Sequence, residues 1–90
     1  MSEIGPARGK HQVLVRDAAG RPVAGAIVEV SHGTAPVPEV GRVTDSEGRL
    51  SLHLPMGRFR LRALTATGES GETDADGASD VIIEIEVRKP

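Results

Sequence analysis

The sequence predicts one all-β domain, a single antiparallel sandwich of about seven short strands, and three observations predict it. Apolar residues recur with a period of two along most of the chain, and no window carries a helical period. Turn signals built on Gly, Pro and Asp return roughly every 8–12 residues, the spacing of sandwiches and barrels. Ninety residues suffice for one core and not for two, and that core is aliphatic because Phe59 is the only aromatic residue.

Residues 1–10 contain Gly5, Pro6 and Gly9 and little apolar surface, and are expected to form an N-terminal tail ahead of a domain spanning 11–90. Residues 11–16 are the first predicted strand. Asp17-Ala18-Ala19-Gly20 follows as a turn, with Asp suited to its first position and Gly to its last. Pro22 cannot donate to a ladder, so the short connection around it belongs at an edge or bulge. Residues 26–31 form the second strand, with Ala26, Val28 and Val30 on one face. The proline-bearing segment 32–39 reads as a loop, and residues 40–44 as a short strand.

Asp45-Ser46-Glu47-Gly48 repeats the Asp-to-Gly turn. In residues 49–54, Leu50, Leu52 and Leu54 face inward and Ser51 and His53 outward. Pro55-Met56-Gly57 breaks the chain. Residues 58–65 alternate cleanly, with Phe59, Leu61 and Ala63 inward and Arg58, Arg60 and Arg62 outward. Residues 66–80 are polar, acidic and rich in Gly, and read as one long loop. The last strand is 81–88, with Val81, Ile83, Ile85 and Val87 inward and Ile82, Glu84, Glu86 and Arg88 outward.

Two stretches carry a family resemblance. The first runs Val15-Arg16-Asp17-Ala18-Ala19-Gly20-Arg21-Pro22-Val23-Ala24-Gly25-Ala26. The second runs Thr44-Asp45-Ser46-Glu47-Gly48-Arg49-Leu50 and continues in Leu54-Pro55-Met56-Gly57-Arg58-Phe59-Arg60-Leu61. They resemble the carboxypeptidase-regulatory-like domains, whose fold is transthyretin-like (prealbumin-like). The resemblance implies a Greek-key sandwich and is almost silent on function, because one fold hosts many functions. Collagen-adhesin repeats look similar and often carry a lysine isopeptide crosslink; here Arg16 stands near the lysine position and the chain has no Asn, so that crosslink is rejected. The related hydroxyisourate hydrolases end in a Tyr-Arg-Gly-Ser signature, and this chain ends Val87-Arg88-Lys89-Pro90.

Composition removes several function classes. A net charge of −2 and a pI near 5.9 give no general attraction to nucleic acid or anionic lipid. Phe59 is the one candidate ring for stacking bases, which argues against nucleic acid as a partner, and without Trp or Tyr the usual platform for sugars is absent. Without Cys there are no disulfides, thiolate nucleophiles or cysteine zinc sites. The start of the chain has no apolar signal region, and no stretch approaches the ~18 apolar residues of a membrane span. The expectation is a soluble chain, cytoplasmic as synthesised, not inserted in a membrane, whose export would need a non-classical route.

No residues are expected to be catalytic, and no cofactor is expected. His11, His32 and His53 share no ligand spacing and read as solvated surface histidines. Ser31 and His32 are adjacent, so on a strand they point to opposite faces and cannot form a nucleophile pair. Asp74, Asp76 and Asp80 are weak candidate ligands for a hard cation such as calcium in the acidic segment 72–80; a solvated acidic loop is the simpler reading. Arg58, Arg60 and Arg62 read either as a docking stripe for an acidic partner or, preferred, as a cross-strand ladder with Glu84 and Glu86. Pro36, Val37 and Pro38 in the second loop are candidate partner contacts. Outward Ile27 and Ile82, with Leu14 or Leu64, suggest an apolar patch for a homo-oligomer or partner.

These readings converge on a non-catalytic interaction or structural accessory module for a protein partner, acting through loops and edge strands. Domains resembling it in bacteria accompany peptidases, surface proteins and type VI secretion spikes, so an adaptor in such an assembly is one alternative. A small-molecule or calcium binder using the acidic loop is the other.

Overall fold

A computed structural model describes residues 9–33 and 41–90. The proline-bearing residues Pro36, Val37 and Pro38 and most of the expected tail, residues 1–8, lie outside the described residues. Gly9 and Lys10, assigned to the tail from sequence, already belong to the first strand.

The described chain is all-β. Its strands are β1 (Gly9–Asp17), β2 (Ile27–Gly33), β3 (Arg42–Val43), β4 (Arg49–Leu54), β5 (Arg58–Leu64), β6 (Ser70–Asp76) and β7 (Ile82–Val87). They form two sheets, one of order β4-β1-β7 and one of order β3-β2-β5-β6. No helix of the described residues is long and apolar enough to cross a membrane.

The sequence expectation of a wholly antiparallel sandwich is corrected at one place. β1 and β4 are antiparallel, but β1 and β7 run parallel, with Val13 beside Ile83 and Val15 beside Ile85. Alternation says which face a side chain takes and nothing about strand direction. Parallel neighbours need a long crossover, and here the crossover is the rest of the molecule.

A second correction concerns residues 66–80, expected to be loop. Their middle is β6, paired in unbroken antiparallel register with β5. Its inward positions are Gly71, Thr73 and Ala75, and only the last is fully buried. The apolar signal that marks a strand is therefore missing. A third correction is Val81, expected inward, which is exposed and precedes β7.

The core lies between the sheets. Val13, Val15, Leu52, Leu54, Ile83, Ile85 and Val87 meet Val28, Phe59, Leu61, Ala63 and Ala75 from the other side. Each buried aliphatic side chain is worth roughly 1.5–3 kcal/mol of transfer free energy. Thr44 is buried among them and satisfies itself fully. Its Oγ1 accepts from the Ala26 amide at 2.9 Å and donates to the Val23 carbonyl at 2.7 Å, tying β3 to the start of β2.

Three five-residue turns share one design. Asp17, Asp45 and Thr65 each donate their amide to the carbonyl four residues on, and each receives the amide of the glycine three residues on. In each case the opening side chain accepts the amide four residues on: Asp17 from Arg21, Asp45 from Arg49, Thr65 from Glu69. Gly20 and Gly48 hold φ of 82° and 74°, a region open to Gly and strained for other residues. The two aspartate turns were legible in sequence; the threonine version was not.

Candidate functional site

Two surfaces collect the residues that could carry function: the outer face of the four-stranded sheet and the free side of β4.

On the outer face, register sets the charges in rows. Arg62 stands between Glu29 and Glu72, Arg60 between His32 and Asp74, and Arg58 beside Asp76. A bulge between Val30 and His32 lets His32 take its place beside Arg60. Arg60 Nε lies 2.6 Å from Glu72 Oε1, and its Nη1 lies 3.1 Å from Asp74 Oδ1. The Glu72 hydrogen bond, with the charges of Asp74 and Glu72, holds the Arg60 guanidinium above its ordinary pKa. Arg60 is thus paired across strands, and the acids that stand beside the stripe lie on β6 and, at Glu29, on β2. Glu84 and Glu86, the partners expected from sequence, lie on β7 in the other sheet, where Glu86 Oε2 accepts from Arg88 Nε at 2.7 Å. Equal spacing on two alternating strands made the wrong pairing look right.

A cavity of about 440 Å³ opens at the end of this sheet, lined by His32, Arg58, Phe59, Arg60, Asp74, Ala75, Asp76 and Asp80. The three candidate cation ligands all line it, but their carboxylates are engaged elsewhere. Asp74 faces Arg60. Asp76 Oδ1 accepts the Ala78 amide at 2.8 Å, and Asp80 Oδ2 accepts the Asp76 amide at 2.7 Å, so both carboxylates fold their own loop. Among the described residues no three His, Asp or Glu side chains gather as a metal site.

The histidines divide. His32 and His53 are exposed. His11, expected at the surface, is buried at 3 % exposure on the same face as Val13 and Val15. Its Nδ1–H donates to the Asp80 carbonyl. Its Nε2 is buried without a partner among the described residues.

The expected apolar patch separates into two. Ile27 and Val43, both exposed, sit side by side with half-buried Leu64 on the outer face of the four-stranded sheet. Exposed Ile82 lies on the opposite outer face with half-buried Leu14.

The free side of β4 is the feature that side-chain reading missed. The Val15 amide bonds to the Gly48 carbonyl, and the register continues through Val13↔Leu50 and His11↔Leu52. In an antiparallel ladder the bonding pairs alternate. Leu50, Leu52 and Leu54 therefore turn their backbone groups to β1, and Arg49, Ser51 and His53 turn theirs away. Arg49 is satisfied there: its amide donates to Asp45 Oδ1 at 3.0 Å and its carbonyl accepts from the Asp45 amide at 2.9 Å. Among the described residues no strand lies beyond Ser51 and His53. The sequence signal was a negative one, two uncharged outward positions on a strand that ends just before Pro55.

No protein-family model matches the sequence, and no curated protein matches it.

Proposed function

We propose that the chain is a non-catalytic protein-interaction module of the transthyretin-like, carboxypeptidase-regulatory-like kind, and that it docks through the free edge of β4. The carrying observation is that edge itself: Ser51 and His53 present backbone donors and acceptors outward with no strand beside them among the described residues. An exposed ladder of this sort is a template for adding a strand.

The topology supports the Greek-key part of the reading. β2 and β3 pair in one sheet, and β4 then returns to lie beside β1 in the other, a return of the kind found in Greek-key sandwiches. The charged ladder supports the choice of edge over stripe, because Arg60 is already engaged by Glu72 and Asp74 and has less to offer an acidic partner.

Selection of extended peptides against the dilute protein tests the reading. Binders are expected that shift the amide resonances of Ser51 and His53 and that lose affinity for Ser51→Pro, which removes one outward N–H. Binders that map elsewhere and ignore Ser51→Pro would refute docking through β4.

A further inference from the structure

The partner that fits the β4 edge best is β4 itself. We propose that two copies of the chain pair through β4, antiparallel about a two-fold axis at Leu52, joining two three-stranded sheets into one of six strands. The proposal rests on the reading of β4 as a docking edge and names its occupant.

The register argues for a second copy. A two-fold axis at Leu52 sets Ser51 opposite His53 of the second copy and His53 opposite its Ser51. Both residues turn N–H and C=O outward, so the two pairs form four backbone hydrogen bonds. The next pair outward sets Arg49 against Pro55. Pro55 has no N–H to give, and Arg49 has already committed its amide and carbonyl to Asp45. The ladder therefore stops at both ends where no amide is left seeking a partner. An unrelated strand has no reason to match those two stops; a second β4 matches them by symmetry, as an isologous interface requires.

Charge points the same way. The seam sets a hydroxyl against an imidazole, with no like charges opposed, and an acidic or basic peptide finds no complementary row there. The other edges are guarded. β3 has two residues. β6 carries Glu72, Asp74 and Asp76. β7 carries Glu84 and Glu86, and beyond its end Arg88 exchanges two hydrogen bonds with Ser70 of β6, at 2.9 and 3.0 Å. Short strands, charges and covering neighbours are the usual protections against edge pairing; β4 is six residues long, its one charge is Arg49 at the end of the ladder, and among the described residues no strand covers Ser51 and His53.

Sedimentation equilibrium on the full chain, from micromolar to millimolar concentration, tests the proposal. The parent is expected to double its mass with rising concentration. Ser51→Lys/His53→Lys, which opposes lysines across the seam, is expected to stay monomeric while keeping the parent's circular dichroism and melt. Ser51→Glu/His53→Lys, which opposes Glu to Lys at both pairs, is expected to restore the dimer, an outcome no folding defect can produce. The register has its own readout. The chain has no cysteine, and hydrogen-bonded antiparallel partners sit about 5.5 Å apart at Cα, within disulfide range. Ser51→Cys/His53→Cys is therefore expected to run as a covalent dimer on a non-reducing gel. A parent monomeric at millimolar concentration overturns the proposal, and so does a dimer that survives the double lysine variant. A monomeric parent that still takes extended peptides at Ser51 and His53 overturns the second copy and leaves the docking edge standing; loss of both removes the edge as well.

Discussion

His11 lies within the core with Nδ1–H bonded to the Asp80 carbonyl and Nε2 facing no partner among the described residues. A buried polar atom left unpaired costs about 1–3 kcal/mol, and a typical hydrogen bond returns about 1 kcal/mol. The balance predicts that His11→Leu leaves stability unchanged or raises it by about 1–2 kcal/mol, whereas His11→Ala leaves a cavity and costs about 2–3 kcal/mol. Urea denaturation of the two variants checks this; a large loss in His11→Leu would mean that Nε2 has a partner in solution. Asp45 carries a second prediction. Its carboxylate accepts from the amides of Arg49 and Glu47, and these bonds hold its pKa below the ordinary value of 3.8. A carboxyl whose folded value is depressed contributes stability that is full above its unfolded pKa and is lost as pH falls through the folded one. Asp45→Asn keeps an acceptor oxygen and removes the charge. Its melting temperature is therefore expected to fall less than the parent's on acidification, and identical acid limbs would contradict the assignment. The turn was legible from sequence because Asp and Gly stand at its fixed positions. The buried histidine was half legible: alternation put it with Val13 and Val15, but the carbonyl that receives it comes from 69 residues away.

At the scale of elements, the acidic strand β6 separates what pattern can deliver from what it cannot. Its outward acids answer the arginines of β5 row by row. Its inward side is made of small residues because backbone passes close behind it. A β-carbon on Gly71 would collide with the Glu86 carbonyl, and one on Gly77, just beyond the strand, with the Pro55 carbonyl. Small inward residues and acidic outward ones are also the composition of a loop, so the sequence reads as loop and the strand is recognised only once β5 and β7 are in place. Overpacking against fixed backbone costs about 1–3 kcal/mol, and Gly71→Ala is expected to lose at least that much by thermal or urea unfolding. Gly68→Ala, where a β-carbon meets nothing within 4 Å but φ is 91°, shows the cost of backbone conformation without collision, so the two variants separate the two effects. The strands with leucine, isoleucine or phenylalanine on their inner face, β4, β5 and β7, were legible within a residue or two, because large apolar side chains at period two have no other economical arrangement. The edges were not, since freedom of a backbone group is decided by what stands next to the strand.

The molecule as a whole is two sheets closed by aliphatic packing, with the acids of β6 standing beside the arginines of β5 on one outer face. The class was legible because period two and regular turns admit few alternatives. The ladder partners were not, because identical spacing on β6 and β7 cannot say which strand lies beside β5. Strand direction was not legible either, and its consequence falls on β1. This is the central strand of its sheet, held on one side by β4 and on the other by β7. A ribosome delivers β1 first among the strands and β7 last. Until β7 arrives, the growing chain carries β1 with one flank open, its outward amides exposed to any extended segment nearby. Slow closure of such distant pairings is a general feature of β-rich chains. The interval of greatest risk for this fold therefore runs from the emergence of β1 to the arrival of β7, and slower translation of residues 82–87 would lengthen it.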